Sequence, residues 1–414
     1  MPVCAEIVLI SHWFGHTPHC LECIIPFFLE RGYTIYHLTD KPEAAATYLS
    51  QSGLLGHEKI RHLEMVKVEA EKPHWRQDEQ LCRVEAHWQG VRLALESLYR
   101  ELGRKVGIFH TWVDLYSHEY LDRRVIEAAM PAPWVGLYVH PAELRIYKTW
   151  KRRALENLTD LFKYGKMFPS RLRAFDVPNA RELFFWDESC PEILRNRLTN
   201  QVKFGVFPES KKADTSPSSN NFSLIDDFAE NRFPILCLTG FLSRRKGLLK
   251  LIREARSSST HWSFLIAGEI SWNDFCDNEK SEIQNFISSK KSNTLLIPRH
   301  LSDQEFEQCL KVSDCIYIAY EDFFHSSNLQ LQAALLKKPI IAGPQHLIAE
   351  RTRRFGMGWC LPEISEQAVS DLLNQIDKQE IQRIVDNAHF QEFCNEHSPA
   401  RLNECLEEIS QLVA

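Results

Sequence analysis

The amino-acid sequence predicts a two-domain α/β protein whose domains are doubly wound, with helices on both faces of a parallel β-sheet. Three observations predict this class. The chain has 414 residues, which is more than one hydrophobic core usually organises. Short, almost wholly apolar segments alternate with segments of helical periodicity in both halves of the chain. A polar stretch rich in turn-forming residues, 208–232, separates the halves and is predicted to be an interdomain linker.

The first half opens with a predicted βα unit. Residues 6–11 form an apolar segment typical of a buried strand, residues 23–29 have the pattern of a helix, and residues 33–38 form the next strand. A strand, a helix and a strand within this length predict a right-handed parallel crossover. Two more strands are predicted at 106–109 and 134–139. The first half is therefore predicted to hold its own parallel sheet.

The second half alternates more regularly. Its short strands are almost entirely apolar, as expected where helices cover both faces of a sheet. In such sheets ligands bind at the carboxyl ends of the strands, where the strand order reverses, so we expect binding residues in the loops that follow the strands. The predicted strands are 234–239, 263–267, 294–297, 315–319 and 339–342, and the predicted helices include 246–256, 303–312 and 327–337.

Composition argues against several classes of protein. Hydrophobic residues make up 44% and charged residues 25% of the chain, as in ordinary globular proteins. The formal net charge of −6 gives no reason to expect nucleic acid as a partner. No signal-peptide pattern opens the sequence, and no apolar stretch approaches the roughly 20 residues that span a bilayer. A cytoplasmic protein is therefore expected.

Cysteine usage bears on metal binding and on the cellular compartment. The 12 cysteines are mostly scattered singly, several of them within apolar segments, where a thiol behaves as a small hydrophobic group. Cys20 and Cys23 form the one close pair. A zinc site needs about four ligands, and the sequence has no second close pair of cysteines to supply the other two. No metal site is therefore predicted. Reduced thiols agree with the expected cytoplasmic location.

An ordered series of short segments runs through the second half, at the ends of predicted strands and the starts of predicted helices. The segments are LTGFLSRRKG (238–247), LIAG (265–268), HLSDQEF (300–306), VSDCIYI (312–318), SSNLQLQAAL (326–335), KPIIA (338–342) and GMG (356–358). In order and spacing the series resembles the nucleotide-sugar domain of GT-B glycosyltransferases, in particular of the retaining family 4. The resemblance covers most of residues 234–362 and is looser in the first half.

The resemblance implies the GT-B architecture, in which two Rossmann-like doubly wound domains face each other across a cleft. Residues 1–207 would form the acceptor-side domain, and residues 233–390 would form the nucleotide-sugar-binding domain. Residues 391–414 would form a C-terminal helix, which in one arrangement packs back on the first domain. Because acceptor domains diverge more than donor domains, the weaker match in the first half is expected.

The activity implied by the resemblance is retaining transfer of a sugar from a nucleoside diphosphate sugar to an acceptor hydroxyl. The acceptor would be another sugar, a glycolipid or a small metabolite. In the family the leaving diphosphate helps to deprotonate the acceptor, and no metal is obligatory, so no cofactor is expected. Two alternatives stay open. One is a catalytically silent GT-B homologue that serves as a binding or assembly partner in a glycan pathway, and the other is a sugar-nucleotide epimerase.

Five residues at matching positions are candidates to hold the donor diphosphate, which needs positive charge and oriented donors. Lys246 falls where the family lysine neutralises the diphosphate, and Arg244 or Arg245 could supply a bidentate phosphate contact. Ser326 and Ser327 precede a predicted helix, whose free N–H groups and dipole favour an anion. The alternatives are a solvated basic turn for the cations and a plain N-cap for the serines.

Other matching positions depart from the family pattern. The family arginine five positions before the lysine is replaced here by Phe241. Retaining members carry two glutamates, and their positions fall on Phe324 and Gln332. Gln332 can still hydrogen-bond a ribose hydroxyl, whereas Phe324 cannot hold a sugar hydroxyl. Glu321, Asp322 or His325, at neighbouring loop positions, could take over contacts to the donor sugar.

The first half supplies fewer candidates. Gly15 occupies the loop in which the family usually has glycines, and His110 and His140 end predicted strands where members often carry histidines. His140 is the candidate catalytic residue, contacting the sugar in the cleft, and its alternative is a structural histidine. Residues 145–153 combine basic and aromatic side chains, which either dock peripherally on the inner face of a membrane or form a solvated helix face.

Overall fold

The computed structural model divides the chain into two compact units. Unit 1 comprises Met1–Ala213 together with His397–Ala414, and unit 2 comprises Asp214–Glu396. The residues that the structure describes are 5–13, 17–51, 58–70, 78–141, 171–195, 202–210, 222–230, 234–257, 261–289 and 291–414.

Unit 1 is built on a parallel sheet. Its described strands are β1 (Glu6–Ser11), β2 (Thr34–Thr39), β3 (Ile60–Glu64), β4 (Ile108–His110), β5 (Trp134–Tyr138), β6 (Ala180–Phe185) and β7 (Lys203–Val206). They lie in the order β3-β2-β1-β4-β5-β6-β7, and each neighbouring pair is parallel. The strand order therefore reverses between β1 and β4, which is where such sheets bind ligands.

Helices connect these strands. The longest, α3, is capped at its N-terminus by Asp78, whose side chain accepts hydrogen bonds from two backbone N–H groups, and it ends at Gly103 in the left-handed conformation. The described helices of unit 1 are α1 (Thr17–Glu30), α2 (Pro42–Gln51), α3 (Glu79–Leu102), α4 (Arg123–Ala129), α5 (Cys190–Arg195) and, after unit 2, α15 (Pro399–Val413).

The helix α15 completes the core of unit 1. Its residues Leu402 and Leu406 are buried in one hydrophobic cluster with strand residues such as Phe109. Gly107 lies just before β4, and a Cβ atom there would stand 1.9 Å from the carbonyl oxygen of Val413. Only glycine therefore allows the end of this helix to approach the beginning of the strand so closely.

Unit 2 holds a second parallel sheet. Its described strands are β8 (Ile235–Thr239), β9 (Ser263–Ala267), β10 (Thr294–Ile297), β11 (Cys315–Ile318), β12 (Ile340–Ala342) and β13 (Gly358–Cys360). They lie in the order β10-β9-β8-β11-β12-β13 with parallel pairing throughout. The order reverses between β8 and β11, so the loops after these two strands meet at the expected ligand-binding edge.

Both faces of this sheet are covered by helices. Along β8, Ile235 and Cys237 belong to one hydrophobic cluster, whereas Leu236 and Leu238 belong to another. Successive side chains of a strand point to opposite faces, so the two clusters are the two helix-covered faces of the sheet. The described helices of unit 2 are α6 (Ser223–Ala229), α7 (Leu248–Arg256), α8 (Asp277–Ser289), α9 (Asp303–Val312), α10 (Asn328–Leu335), α11 (His346–Arg354), α12 (Glu366–Gln375), α13 (Lys378–Asn387) and α14 (Phe390–Glu396).

The predicted class, two doubly wound α/β domains, is confirmed by these two sheets. The sequence patterns did not predict β3, β6, β7 and β13. In β6 the polar residues Arg181 and Glu182 interrupt the apolar run, although Glu182 is buried. Strand β13 has only three residues, which is too short for a periodic pattern. The missed strands all lie towards the edges of the sheets.

Candidate functional site

The loop after β8 is shaped by two glycines. Gly240 and Gly247 have φ angles of +90° and +85°, in the left-handed region that favours glycine. A Cβ atom on Gly247 would lie 2.9 Å from the ring of Tyr317 on β11. The short 3₁₀ turn Arg244–Lys246 lies between these glycines. The glycines therefore hold three basic residues in a tight loop at the reversal point of the sheet.

Lys246 turns back towards the end of β8. Its Nζ atom donates to the carbonyl oxygen of Thr239 at 3.4 Å and lies 5.4 Å from the centroid of the Tyr320 ring. Burial, and secondly the charge of Arg245, lowers the pKa of Lys246 to about 8. An ammonium group with so few polar neighbours is well suited to pair with an anion that enters this end of the sheet.

The loops after β8 and β11 are connected directly. The backbone N–H of Glu321 donates to the carbonyl oxygen of Arg245 at 2.8 Å. The guanidinium carbon of Arg245 lies 4.5 Å from the centroid of the Phe323 ring, a cation–π contact. The predicted phosphate ligand Arg245 is thus exposed yet held against an aromatic side chain.

Two of the predicted donor-site residues are engaged in ion pairs. Arg244 pairs with Glu279 on α8, with 3.2 Å between nitrogen and oxygen. Glu321 forms an ion pair with Lys250 on α7. Arg244 and Glu321 would each have to leave its ion-pair partner before binding a ligand. The geometry therefore favours Lys246 and Arg245 as the residues that contact a ligand.

The N-terminus of α10 brings the predicted serines beside a buried arginine. Ser327 is the N-cap residue, and its side chain makes no capping hydrogen bond. Ser326 Oγ accepts a hydrogen bond of 2.6 Å from Nη1 of Arg351, a residue of α11 that is only 2% exposed. The helix dipole and a guanidinium group therefore both contribute positive potential next to Ser326.

Aromatic rings also lie in the loop after β11 and beside α11. The ring centroids of Phe324 and His346 are 4.3 Å apart, and His325 lies 5.6 Å from Phe323. Gln332, on the second turn of α10, is buried. The structure thus places Phe324 in an aromatic contact with His346.

Three buried hydroxyl groups lie in the neighbourhood of the same loops. No described residue supplies a hydrogen-bond partner for the hydroxyls of Thr239, Ser243 and Tyr317. A buried polar group without a partner costs about 1–3 kcal/mol, so sites that hold several of them are usually completed by a ligand or by water.

In unit 1, the predicted catalytic residue His140 is held by a carboxylate. Its backbone N–H donates to Oδ2 of Asp114 at 3.1 Å, and its ring nitrogen Nδ1 lies 3.2 Å from the same oxygen. Asp114 also accepts from the backbone N–H of Val139. The carboxylate fixes the orientation of the imidazole at the carboxyl end of β5.

The other predicted histidine of unit 1, His110, is fully buried. Its Nδ1 lies 2.7 Å from the carbonyl oxygen of Thr111. Burial, and then the proximity of His12, lowers the pKa of His110 to about 3, so the ring is neutral at physiological pH.

Comparison with known proteins finds similarity at the level of the fold. No protein-family model matches the chain, and no curated protein matches it in sequence. A glycosyltransferase from Rickettsia africae is 14% identical with a TM-score of 0.64, over 99% of this chain and 98% of that one. HepE from Anabaena, in complex with UDP, is 14% identical with a TM-score of 0.63, over 98% of each chain. Sucrose-phosphate synthase from Thermosynechococcus elongatus is 12% identical with a TM-score of 0.62, over 98% of each chain.

The chain has the GT-B fold. Each match spans nearly the whole of both chains, so the similarity includes both units and is not confined to the series of segments in the second half. In this GT-B chain Lys246, Arg245, Ser326 and Ser327 all lie in the loops after β8 and β11 of unit 2, while His140 and His110 lie at strand ends of unit 1.

Some predictions fall on parts of the GT-B chain outside the described residues. These are Gly15 and the basic and aromatic segment 145–153, for which peripheral membrane contact was one interpretation. No helix in the described ranges is both long and apolar enough to cross a membrane. Within the same ranges, no group of three His, Cys, Asp or Glu side chains could hold a metal ion.

Sequence reasoning missed two features of these sites. Arg351 looks like a solvated helix residue in the sequence, and only the tertiary structure buries it beside Ser326. His12 and His87 contact each other although they are 75 positions apart in the sequence, with ring centroids 4.9 Å apart. A signal for His12 was present, because it directly follows a predicted strand and so belongs to a ligand-binding edge.

Proposed function

We propose that this protein is a hexosyltransferase-type glycosyltransferase that moves a sugar from a nucleoside diphosphate sugar to an acceptor hydroxyl, with retention of configuration. The observation that carries the proposal is the position of Lys246. Its half-buried ammonium group lies at the reversal point of the unit 2 sheet, in a chain with the GT-B fold. HepE, a structural neighbour, is known in complex with UDP and with UDP-glucose. A uridine donor is therefore the first to test.

We assign the diphosphate to Lys246, Arg245 and the N-terminus of α10. Lys246 and Arg245 supply two positive charges from the β8 loop, and Ser326 and Ser327 precede the free N–H groups of the helix. Arg351 adds a buried charge behind Ser326. As the bond to the sugar breaks, negative charge grows on the leaving diphosphate, and these fixed groups stabilise it without reorganisation.

The remaining contacts, to the ribose and the donor sugar, are assigned mainly to uncharged side chains. We propose that Gln332 hydrogen-bonds the ribose and that His325 contacts the donor sugar. Glu321 and Arg244 join them only where the ligand displaces their ion-pair partners. His140, oriented by Asp114, is proposed as the residue of unit 1 that touches the transferred sugar. The departing diphosphate then accepts the proton of the acceptor hydroxyl.

We propose a cytoplasmic location for this activity, with no cofactor beyond the donor sugar. No disulfide joins any two of the described cysteines, Cys20 and Cys23 included. Free thiols persist in a reducing compartment. Peripheral contact with a membrane through 145–153 stays a prediction.

A catalytically silent GT-B homologue is the second candidate. The aromatic contact between Phe324 and His346 favours it, because an apolar ring stands where the family pattern has a carboxylate. The two candidates share the nucleotide site and differ in turnover. Release of UDP from UDP-glucose in the presence of sugar acceptors, followed by the anomeric signals of the product in NMR spectra, separates them and tests retention.

Nucleotide binding is the first experiment. UDP, GDP, ADP and UDP-glucose would be added to the full chain, with melting temperature and calorimetry as readouts. A ligand at one hundred times its dissociation constant adds about 2.7 kcal/mol of stability. We expect UDP and UDP-glucose to stabilise the protein and Lys246→Met to weaken that effect. Absence of stabilisation by every nucleotide at millimolar concentration would refute the proposal.

A further inference from the structure

Three histidines of unit 1, none of them assigned to the donor above, lie together at the carboxyl end of its sheet. His12 follows β1, His110 ends β4, and His87 lies on α3. The ring centroids of His12 and His87 are 4.9 Å apart, and those of His87 and His110 are 6.0 Å apart. Strands β1 and β4 are the neighbours between which the strand order reverses. The histidine cluster, His12, His87 and His110, thus occupies the expected ligand-binding edge of unit 1.

The cluster contains unpaired polar atoms. In each of the three imidazoles, Nε2 is buried and no described residue provides it with a hydrogen-bond partner. His110 is fully buried, and His12 is only 6% exposed. Buried polar atoms are nearly always hydrogen-bonded in native proteins. Three exceptions in one place indicate that a ligand or a water molecule completes the site.

The hydrogen bond of His110 determines which kind of group fits. Its Nδ1 lies 2.7 Å from the carbonyl oxygen of Thr111, which can only accept, so Nδ1 carries the proton. Burial followed by the influence of His12 lowers the pKa of His110 to about 3, which leaves the ring neutral. In a neutral imidazole the second nitrogen is an acceptor. His110 Nε2 therefore requires a partner that donates a hydrogen bond, such as a hydroxyl group.

The charge beside the cluster disfavours an anion. Asp40 Oδ1 lies 3.9 Å from His12 Nδ1. Burial raises the pKa of Asp40, but hydrogen bonds from the His12 side chain and the Trp13 backbone outweigh it and bring the pKa to about 2. Burial also lowers the pKa of His87 well below its usual value, so His87 supplies no positive charge. A phosphate or carboxylate would meet an ionised Asp40 and the neutral rings of His87 and His110.

An aromatic surface adjoins these atoms. The Tyr116 ring stacks on His87 with 3.4 Å between centroids and lies 4.4 Å from His12. Tyr116 and His87 are partly exposed, whereas His12 and His110 are buried. Flat rings next to convergent hydrogen-bonding groups are the usual composition of a small-molecule site.

We propose that His12, His87 and His110 form a subsite of unit 1 that binds an uncharged sugar hydroxyl of the acceptor, which donates a hydrogen bond to His110 Nε2. The inference rests on the proposed function. It narrows the acceptor to a glycoside or polyol whose part bound by the histidine cluster is uncharged. An ionised phosphate or carboxylate has no proton to give to His110, and Asp40 repels it.

The test compares a neutral probe with an anionic one. Methyl β-D-glucopyranoside and glucose 6-phosphate would be titrated onto the full-length protein, with and without UDP, and followed by saturation-transfer NMR. The glycoside is expected to bind at millimolar concentration and glucose 6-phosphate to bind at least tenfold more weakly. His87→Phe keeps a ring to stack on Tyr116 but removes both nitrogens. It should weaken binding of the glycoside roughly tenfold, which corresponds to about 1.4 kcal/mol.

A control and a second readout separate the outcomes. His300→Phe, at an exposed position of unit 2, should leave binding of the glycoside unchanged. Thermal stabilisation by UDP reports on the donor site independently of the cluster. Equal binding of the glycoside by wild type and His87→Phe overturns the subsite, as does absence of glycoside binding or tighter binding of glucose 6-phosphate. Loss of glycoside binding in His87→Phe without any UDP effect in the wild type upholds the subsite and refutes the proposed donor.

Discussion

Replacing Lys246 with methionine should stabilise the unliganded protein while weakening its binding of UDP. Burial, and secondly Arg245, lowers the pKa of Lys246 from 10.5 to about 8. The pKa difference, 10.5 minus 8, is about 2.5, and one pKa unit corresponds to about 1.36 kcal/mol. The folded protein therefore loses up to about 3 kcal/mol by keeping this lysine charged. Methionine retains the aliphatic packing and removes the charge, so we expect a gain of about 2 kcal/mol.

The pH dependence follows from the same pKa values. Below pH 8 the lysine is protonated in the folded and unfolded states, and the whole cost is present. As the pH rises from 8 towards 10.5, the unfolded state still binds the proton while the folded state has lost it, so the wild type becomes more stable relative to the variant. The advantage of Lys246→Met should thus be largest at pH 7 and small at pH 10.

Thermal unfolding at the two pH values is the assay, and the transition to follow is the one that UDP shifts. A gain of about 2 kcal/mol raises the melting temperature of a domain of this size by roughly 4–8 °C. Loss of the charge-assisted phosphate contact should reduce UDP binding by about 1.5–3 kcal/mol. Lys311→Met, at a surface lysine paired with Glu307, is the matched control and should change neither quantity. A variant that melts like the wild type and binds UDP equally well would refute the reasoning.

Three further predictions concern the two sites. On binding UDP, the wild type should take up roughly half a proton more than Lys246→Met at pH 8 and almost no more at pH 6, because the diphosphate raises the pKa of Lys246 again. Calorimetry in buffers of different ionisation enthalpy measures this difference, and an equal difference at both pH values contradicts the prediction. Gly247→Ala should destabilise the protein by about 1–3 kcal/mol, since φ is +85° and the new Cβ atom meets Tyr317. An unchanged melting temperature would show that the loop relaxes. Asp114→Asn should lower kcat at nearly constant KM by releasing His140, and steady-state kinetics with UDP-glucose would expose an effect confined to KM.

The fold class could be predicted because its signal is local. Apolar runs such as 235–239 mark strands that are buried on both faces. Strands near the edges of the sheets were missed for an equally local reason. In β6 a buried Glu182 carries a carboxyl whose pKa is raised to about 7 by burial and by Glu408, and such a residue reads as exposed in a sequence.

Candidate site residues could be located from the sequence only where their position depends on neighbouring residues in the chain. Lys246 and Ser327 lie at a strand end and a helix start, which sequence patterns locate. The partners of these residues come from distant segments. Arg351 reaches Ser326 across 25 positions, and Asp40 approaches His12 from the next strand. Such pairings depend on strand order and helix packing, which a single sequence does not determine.

The path of the chain has a consequence for synthesis on the ribosome. The described strands of unit 1 end at Val206, yet Leu402 and Leu406, which fill one side of its core, emerge only after the whole of unit 2. At translation rates of roughly 5–20 residues per second, the nascent unit 1 waits roughly 10–40 s with an uncovered apolar face. Unit 2 meets no such delay. The second unit in the sequence is therefore expected to be the first to finish folding, while the first depends on chaperones until the last helix arrives.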